Sequence, residues 1–409
     1  MQRSATAVRR ILRLRHVRRA NRAVILQLLR HGDCLSRADI ARQSGLSEGA
    51  VSRIIGGLIR DRLVREDGEE NSTGGRPGRR LQLDQARIAF GAEIDNWETR
   101  FAVVNMRGRI VESWRRRTPA AAHDALVQVA AEFLQCRERL GTARVQGLGV
   151  CLRGIVDSRT GTLIQGNRTD WANIPVRANL ESRISEPTFV ENNVRAATLA
   201  EYSYGAREVY GARCFTFVMV SDGVGVGILF DGKPYYGPRM AAGEFGQMVI
   251  THSEAGRRHD REGCLERLAS NAAICERYSA TPGARRFPAG ADTSARVRRI
   301  AQWALNGDAA AIATLEQTAI YLGAGISNIV WGLDADVVVV DGAITGAWRL
   351  MAPLIRDQLP DLPELSNLPL ILRSSALSGD AALIGAATLP FTTVFAADES
   401  GPYTAVANQ

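Results

Sequence analysis

Two segments decide the fold class of this 409-residue chain: TFVENNVRAATLAEYSYG at residues 188–205 and FTFVMVSDGVGVGILFDGKPYYG at residues 215–237. The first predicts a buried strand that passes into a helix, and the second predicts two strands around a glycine-rich turn. Residues 88–117 predict a strand meander, and a helix and a buried strand follow within residues 126–157. The same plan thus occurs twice, which favours a duplicated α/β architecture with a cleft between two lobes.

The composition is that of a globular protein, with 45% hydrophobic and 23% charged residues. No uninterrupted apolar run approaches the roughly 18 residues that a membrane span needs. The six cysteines contain no CxxC pair, which suits reduced thiols. The arginine-rich N-terminus lacks the apolar segment of a secretory signal. We therefore expect a cytoplasmic protein with no membrane partner.

The positive charge is concentrated at one end of the chain. Residues 1–82 contain 18 Arg and 8 Asp or Glu, a net charge of +10, whereas the whole chain carries +8. Such an asymmetry predicts a nucleic acid or an anionic membrane as the partner of the first fifth of the chain and a nearly neutral task for the rest.

The basic end has the pattern of a winged helix-turn-helix. Apolar residues at helical spacing predict a first helix at residues 23–30, with Val24, Ile25, Leu28 and Leu29 inward. Ser36 can cap a second helix, which ends at Gly45, and Ser47 can cap a third. In the second, Ala38, Ile40 and Ala41 should face inward. Two alternating segments around the loop DGEENSTGGRPGR predict a wing.

We therefore expect residues 21–85 to bind duplex DNA as part of a symmetric dimer. The arginine-rich segment before them is either a disordered arm or a helix extension, and we expect it to contact phosphates only. The candidates for DNA contact are Ser36, Arg37, Ser47, Glu48, Ala50, Ser52, Arg53, Arg76 and Arg79.

The chain resembles the ROK family (repressors, open reading frames, kinases) from about residue 21 to about residue 387. The resemblance rests on several ordered motifs, which are Glu191-Asn192-Asn193, the glycines of DGVGVG, AGEFGQ at 242–247, GCLE at 263–266 and GAA at 385–387. It implies an actin-like, sugar-kinase fold of two lobes behind the winged helix. The domains we predict are a basic arm (1–20), the winged helix (21–85), a first lobe (86–198), a larger second lobe (199–390) and a tail (391–409).

The chain departs from the family's kinases where phosphotransfer needs specific groups. The kinases place a general-base Asp in an ENDxN segment, where this chain has Asn193, and an amide cannot act as a base near pH 7. Their first phosphate loop, DxGGT, is replaced by Asp95–Thr99 (DNWET), and Val224 replaces a Thr hydroxyl in the second. The usually glycine-rich adenosine turn reads Asp341–Ala343. We therefore expect no enzyme activity and no cofactor.

The resemblance implies that a sugar is bound by polar side chains of the retained motifs. Those residues are Asn192, Asn193, Glu244, Gln247 and Glu266, with Gln247 in place of the family's His. Trp171 could line the cleft or belong to the core. The family's structural zinc ion needs four ligands. In this chain His259 and Cys264 are weak candidates for two of them, so we expect no metal.

The sequence thus predicts a regulator, most simply a repressor, whose kinase-like part senses a small sugar. Two alternatives stay open: a sugar kinase with a DNA-binding extension, and a regulator controlled by a protein partner. We expect a homodimer or a dimer of dimers.

Overall fold

The computed structural model describes residues 2–32, 34–69, 79–140, 144–168, 170–251, 263–288, 290–359 and 369–396. Their contacts divide the chain into two compact units. The first comprises residues 1–196 and 383–409, and the second comprises residues 197–382. No helix among the described residues combines the length and the apolar content that a membrane crossing requires.

The first unit begins with three helices and a two-stranded antiparallel hairpin. They are α1 (Gln2–His31), α2 (Arg37–Ser44), α3 (Glu48–Arg60), β1 (Val64–Glu69) and β2 (Arg79–Leu83). The predicted helices, caps and wing strands are present, and the arginine-rich arm is a helical extension of α1 rather than a separate segment. Ser36 and Ser47 cap α2 and α3, and Gly45 ends α2 in the left-handed conformation with φ 69°.

The inward faces of the first two helices differ in part from the prediction. Val24 is 43% exposed, and Leu26, which the prediction omitted, is fully buried beside Ile25 and Leu29. Ala38 is exposed, so Ile40 is the residue through which α2 enters the core. Only one side of the eight-residue helix α2 is covered by other elements, so it buries a narrower stripe than its apolar pattern predicts.

A five-stranded mixed sheet follows in the same unit, in the order β10-β6-β3-β4-β5. The bounds are β3 (Arg87–Ile94), β4 (Glu98–Asn105), β5 (Ile110–Arg117), β6 (Arg144–Leu152) and β10 (Thr188–Asn192). The helices α4 (Ala122–Leu140) and α5 (Val176–Glu181) and a small sheet of β7 (Ile155–Asp157), β8 (Thr162–Gln165) and β9 (Ala172–Pro175) complete this part. Parallel pairing of β10, β6 and β3 brings their carboxyl ends to one edge.

The second unit repeats the sheet plan, with the order β13-β12-β11-β14-β15. Each sheet has its first strand in the middle, an antiparallel meander on one side and two parallel strands on the other. The strands are β11 (Cys214–Val220), β12 (Val224–Phe230), β13 (Lys233–Pro234), β14 (Val337–Gly342) and β15 (Ile371–Ser374). The predicted duplication is confirmed, and the glycine-rich segment is the tight hairpin between β11 and β12.

The remaining helices lie in the second unit, at the two points where the chain passes between the units, or at the end of the described chain in the first unit. They are α6 (Asn193–Tyr204), α7 (Leu265–Ala269), α8 (Asn271–Ala280), α9 (Thr293–Leu305), α10 (Ala309–Leu333), α11 (Trp348–Arg356), α12 (Ala381–Thr388) and α13 (Thr392–Phe395). The divisions between the units fall within α6 and α12. The sequence-based boundary at residue 390 therefore differs from the structure, and Phe391 and Phe395 are buried rather than part of a tail.

One continuous core joins the winged helix to the rest of the first unit. Its buried residues come from α1, α2, α3, the wing, β3, β4 and the last two helices; they include Ile25, Leu29, Ile55, Leu81, Ala102, Leu383 and Phe395. The α12 backbone approaches the sheet so closely that a Cβ on Gly149 would lie 1.8 Å from the Ala386 carbonyl oxygen. The last helices thus pack against both the sheet and the winged helix.

Candidate DNA-binding surface and sugar-binding residues

Helix α3 presents a polar face to solvent. Val51, Ile55 and Leu58 are buried, whereas Glu48, Ser52 and Arg53 are exposed and Ala50 is half-buried. The Ser47 hydroxyl accepts a hydrogen bond from the Ala50 amide at 3.4 Å and so begins the helix. Within the described residues Arg53 makes no side-chain hydrogen bond or ion pair. The exposed residues that we predict for DNA contact therefore share one face of a capped helix.

Ser36 has a structural role at the start of α2. Its hydroxyl donates to the Asp39 carboxylate at 2.8 Å and accepts from the Asp39 amide at 3.2 Å, which forms a capping box. The hydrogen bond from the Ser36 side chain holds the pKa of Asp39 below its usual value. Since Ser36 is 7% exposed and bonded to Asp39, the structure favours capping over the direct DNA contact that we predicted.

Two other predicted arginines of the winged helix meet at a single carboxylate. Arg37 of α2 donates to Glu66 at 2.8 Å, and Arg79 of β2 donates to its other oxygen at 2.5 Å. These bonds, that from Arg37 first, lower the pKa of Glu66. No local sequence pattern indicates this cluster. Arg76 lies outside the described residues.

The predicted Asn192 is built into the turn between β10 and α6. Its side-chain oxygen accepts from the amides of Val194 and Arg195, which caps α6, and its side-chain nitrogen donates to the Gly154 carbonyl at 2.8 Å. Asn193 is the first residue of α6 and is 8% exposed. Asn192 therefore fixes the geometry of the segment at the carboxyl end of the parallel strands.

A buried ion pair supports that turn. Arg195 donates to Glu191 at 2.6 Å, and their side chains are 6% and 0% exposed. Glu191 also accepts from the Ser158 hydroxyl and the Asn192 amide at 2.7 Å. Sequence analysis missed Arg195, because Glu191 lies on strand β10 and Arg195 on helix α6, so the helical i,i+4 pattern does not identify this pair.

Residues 95–97 of the DNWET segment form the hairpin loop between β3 and β4, and Glu98 and Thr99 begin β4. Asp95 pairs with Arg153 at 2.8 Å, and Trp97 is 77% exposed. Arg153 follows β6 at the same edge and was not among the predicted residues. Trp171 is 6% exposed and its indole donates to the Ala120 carbonyl, so it belongs to the core of the first unit rather than to a binding site.

The second unit places two of the predicted sugar-binding residues in contact. Gln247 donates to Glu266 at 3.3 Å, and the other Glu266 oxygen accepts from the Val224 amide at 3.2 Å. Glu244 is exposed and lies just before the short 3-10 helix at residues 245–247. An amide of the glycine-rich hairpin is thus bonded to a carboxylate of the chain itself.

The metal candidates do not form a ligand cluster among the described residues. Cys264 is 4% exposed and its thiol donates to the Gln247 carbonyl at 3.2 Å. His259 lies outside the described residues. In the adenosine turn, Asp341 is 4% exposed and burial raises the pKa of its carboxyl group.

Comparison with known proteins places these features in a family. The model of the ROK family matches residues 90–392, and that of the IclR helix-turn-helix domain matches residues 22–68. A xylose repressor of Bacillus spizizenii is 22% identical over 366 residues, which cover 88% of this chain and 92% of that protein. The DNA-binding transcriptional dual regulator NagC of Escherichia coli is 26% identical over 352 residues, covering 83% and 84% of the two chains.

Solved structures agree with the family match. A ROK family transcriptional regulator, a homologue of the E. coli MLC protein, covers 93% of this chain and 97% of its own with a TM-score of 0.73 and 22% identity. A ROK hexokinase from Thermus thermophilus covers 75% of this chain and 99% of its own, with a TM-score of 0.58 and 28% identity. The family model matches about three quarters of the chain, in the two units that carry the repeated sheets. This chain is therefore a member of the ROK family.

Proposed function

We propose that this chain is a sugar-responsive transcriptional repressor that binds operator DNA through its winged helix and performs no phosphotransfer. The observation that carries the proposal is the capped helix α3, whose exposed face bears Ser52 and Arg53 beside a wing hairpin in the basic end of the chain. A helix-turn-helix places such a face in the major groove. We expect it to act in the cytoplasm as a homodimer or a dimer of dimers.

DNA binding is tested by selecting preferred sites for the full-length protein from a random duplex pool and measuring affinity by gel shift. Arg53→Ala should weaken binding to the selected site by about 1–3 kcal/mol if Arg53 contacts a base. Arg60→Ala removes the same charge from the exposed last turn of α3 and serves as the control. Equal affinities of the Arg53 variant and the parent would exclude that role.

The proposed effector is a small sugar. The relatives include a xylose repressor and the regulator NagC, and the polar residues of the family's sugar motifs are retained here in Asn192, Glu244 and Glu266. A thermal-shift screen with pentoses, hexoses and amino sugars identifies candidates, because a ligand that binds only the folded state raises its stability. Each candidate is then tested for release of the selected DNA.

A substitution of Glu244 tests sugar sensing separately from DNA binding. Glu244→Ala should leave DNA binding without sugar unchanged and abolish the response to the active sugar. Glu276→Ala removes an exposed carboxylate elsewhere in the second unit and should keep the response. If Glu244→Ala weakens DNA binding as strongly as Arg53→Ala, the sugar-sensing role is wrong.

The core of the first unit supports a direct mechanical link between sensing and DNA binding. Helix α6, which begins at Asn193, approaches α12 so closely that a Cβ on Gly385 would lie 2.1 Å from the Ala196 carbonyl oxygen. The next helix, α13, packs on α1, where the Arg30 guanidinium lies 4.5 Å from the centre of the Phe395 ring. A ligand that shifts α6 therefore has a contiguous packed path to the winged helix.

We infer the absence of kinase activity from the residues that stand where the family's kinases have their reacting groups. Asn193 stands where the family's kinases have a base, and Glu266 already accepts the Val224 amide hydrogen that a phosphate loop would offer to nucleotide. Sugar-dependent release of ADP from ATP above background would contradict this part of the proposal without affecting the DNA-binding part.

A further inference from the structure

A cluster of ion pairs joins helix α2 to the wing. It contains a carboxylate, which DNA binding alone does not require. Glu66 of β1 accepts from Arg37 of α2 and from Arg79 of β2, one oxygen to each guanidinium. The Glu66 side chain is 27% exposed, and those of Arg37 and Arg79 are 35% and 62% exposed. One carboxylate therefore occupies two arginines at a surface that solvent, and hence DNA, can reach.

The charges of this cluster oppose phosphate binding. Two guanidinium groups would attract phosphate with a charge of +2, but Glu66 reduces the net charge of the cluster to +1. A phosphate that approaches either arginine must share it with Glu66 or displace that carboxylate, and the two anions repel each other. The low pKa of Glu66 keeps it ionised at neutral pH, so the opposition persists under ordinary conditions.

We propose that Glu66 is an internal counter-ion that competes with DNA phosphates for Arg37 and Arg79, and so limits the sequence-independent affinity of the winged helix. The inference rests on the proposed DNA-binding function and adds a specificity-determining residue to it. Arg53, which has no such partner among the described residues, keeps its full charge for the major groove. A lower affinity for arbitrary DNA raises the ratio of specific to non-specific binding.

The test compares two charge-neutralising substitutions on the same strand. Glu66→Gln removes the counter-ion, whereas Asp67→Asn removes the same charge from a neighbouring residue that accepts from Gln82 and that, in the described part of the chain, is paired with no arginine. The full-length parent and variants are titrated with a 40-base-pair duplex of mixed sequence at 50–200 mM salt. Such binding reports phosphate contacts through the slope of log affinity against log salt.

Each released arginine that gains a phosphate should steepen the slope by about 0.9. Over a fourfold range of salt, Glu66→Gln should therefore show about 3.5-fold more loss of affinity than the parent for one new contact and about 12-fold more for two. Asp67→Asn should keep the parent's slope. Adding Arg79→Gln to Glu66→Gln should remove one contact and return the slope toward the parent's value.

The other outcomes are decisive as well. Equal slopes for Glu66→Gln and Asp67→Asn would overturn the inference, as would weaker binding by Glu66→Gln with unchanged circular dichroism, since Glu66 would then position the arginines for DNA. No binding of the duplex by the parent at 50 mM salt would instead overturn the proposed DNA-binding function itself.

Discussion

The substitution Arg195→Met breaks the buried ion pair beneath the turn that carries Asn192 and Asn193. Arg195 bonds both Glu191 and the Val156 carbonyl, each at 2.7 Å or less. Methionine fills a similar volume but removes the guanidinium partner of Glu191, which is fully buried. Removal of one partner from a buried ion pair costs about 3–5 kcal/mol, because the remaining charge stays desolvated.

The structure sets the expected cost near the lower limit of that range. The Ser158 hydroxyl and the Asn192 amide still donate to Glu191 after Arg195 is lost, so the carboxylate keeps two of its hydrogen bonds. We therefore expect about 3 kcal/mol. The double variant Glu191→Gln/Arg195→Met removes both charges and should recover at least about 1 kcal/mol of that loss, because no uncompensated anion remains.

Hydrogen exchange measured by mass spectrometry on peptides that cover β10 and α6 is the suitable assay. A chain of two compact units need not unfold in one step, whereas exchange reports the local opening free energy directly. A cost of about 3 kcal/mol should accelerate exchange about 100-fold. Arg137→Met, which breaks a more exposed pair with Glu186, is the control and should change exchange less than about 10-fold.

Two results would refute this reasoning. One is an exchange rate for Arg195→Met no faster than that for Arg137→Met, which would mean that burial does not make the pair important. The other is a double variant that exchanges as fast as Arg195→Met, which would mean that the stranded charge is not the source of the cost.

Three further predictions follow from single positions. Gly149→Ala should destabilise the first unit by about 1–3 kcal/mol in urea unfolding, because the new Cβ would meet the Ala386 carbonyl oxygen. Gly332→Ala is the control and should not destabilise the protein in this way, since a Cβ there has no neighbour within 4 Å. Equal effects of the two substitutions would contradict the packing argument. Burial raises the pKa of Cys214 and Cys275 to about 11, which favours the neutral thiol. Both cysteines should therefore react slowly with iodoacetamide at pH 8, because the thiolate is the reactive form. Rapid labelling of these two residues in the folded protein would contradict this prediction. Asn193→Asp should not create a sugar kinase, because Glu266 still bonds the Val224 amide; sugar-dependent ADP release by that variant would contradict it.

Helix ends, the repeated strand plan and the loss of the catalytic base could be predicted from the sequence, because each depends on residues that are close together along the chain. Ser36, Gly45 and Ser47 mark helix ends because a side-chain oxygen or a left-handed glycine satisfies backbone groups within a few residues. The strand and helix periods predicted two repeats, and both sheets have the same strand order. Replacement of a base by Asn193 is equally local, since it depends only on which atoms that side chain carries.

Tertiary structure decided which polar side chains remain available. Ser36, Arg37 and Arg79 were predicted as DNA contacts from their positions along the chain, yet Ser36 is bonded to Asp39 and both arginines are bonded to Glu66. Glu66 is 29 residues from Arg37 and 13 from Arg79, so no local pattern joins them. Hydrogen bonds and charge pairing act across space, and only the folded chain determines which groups come within about 3 Å of one another.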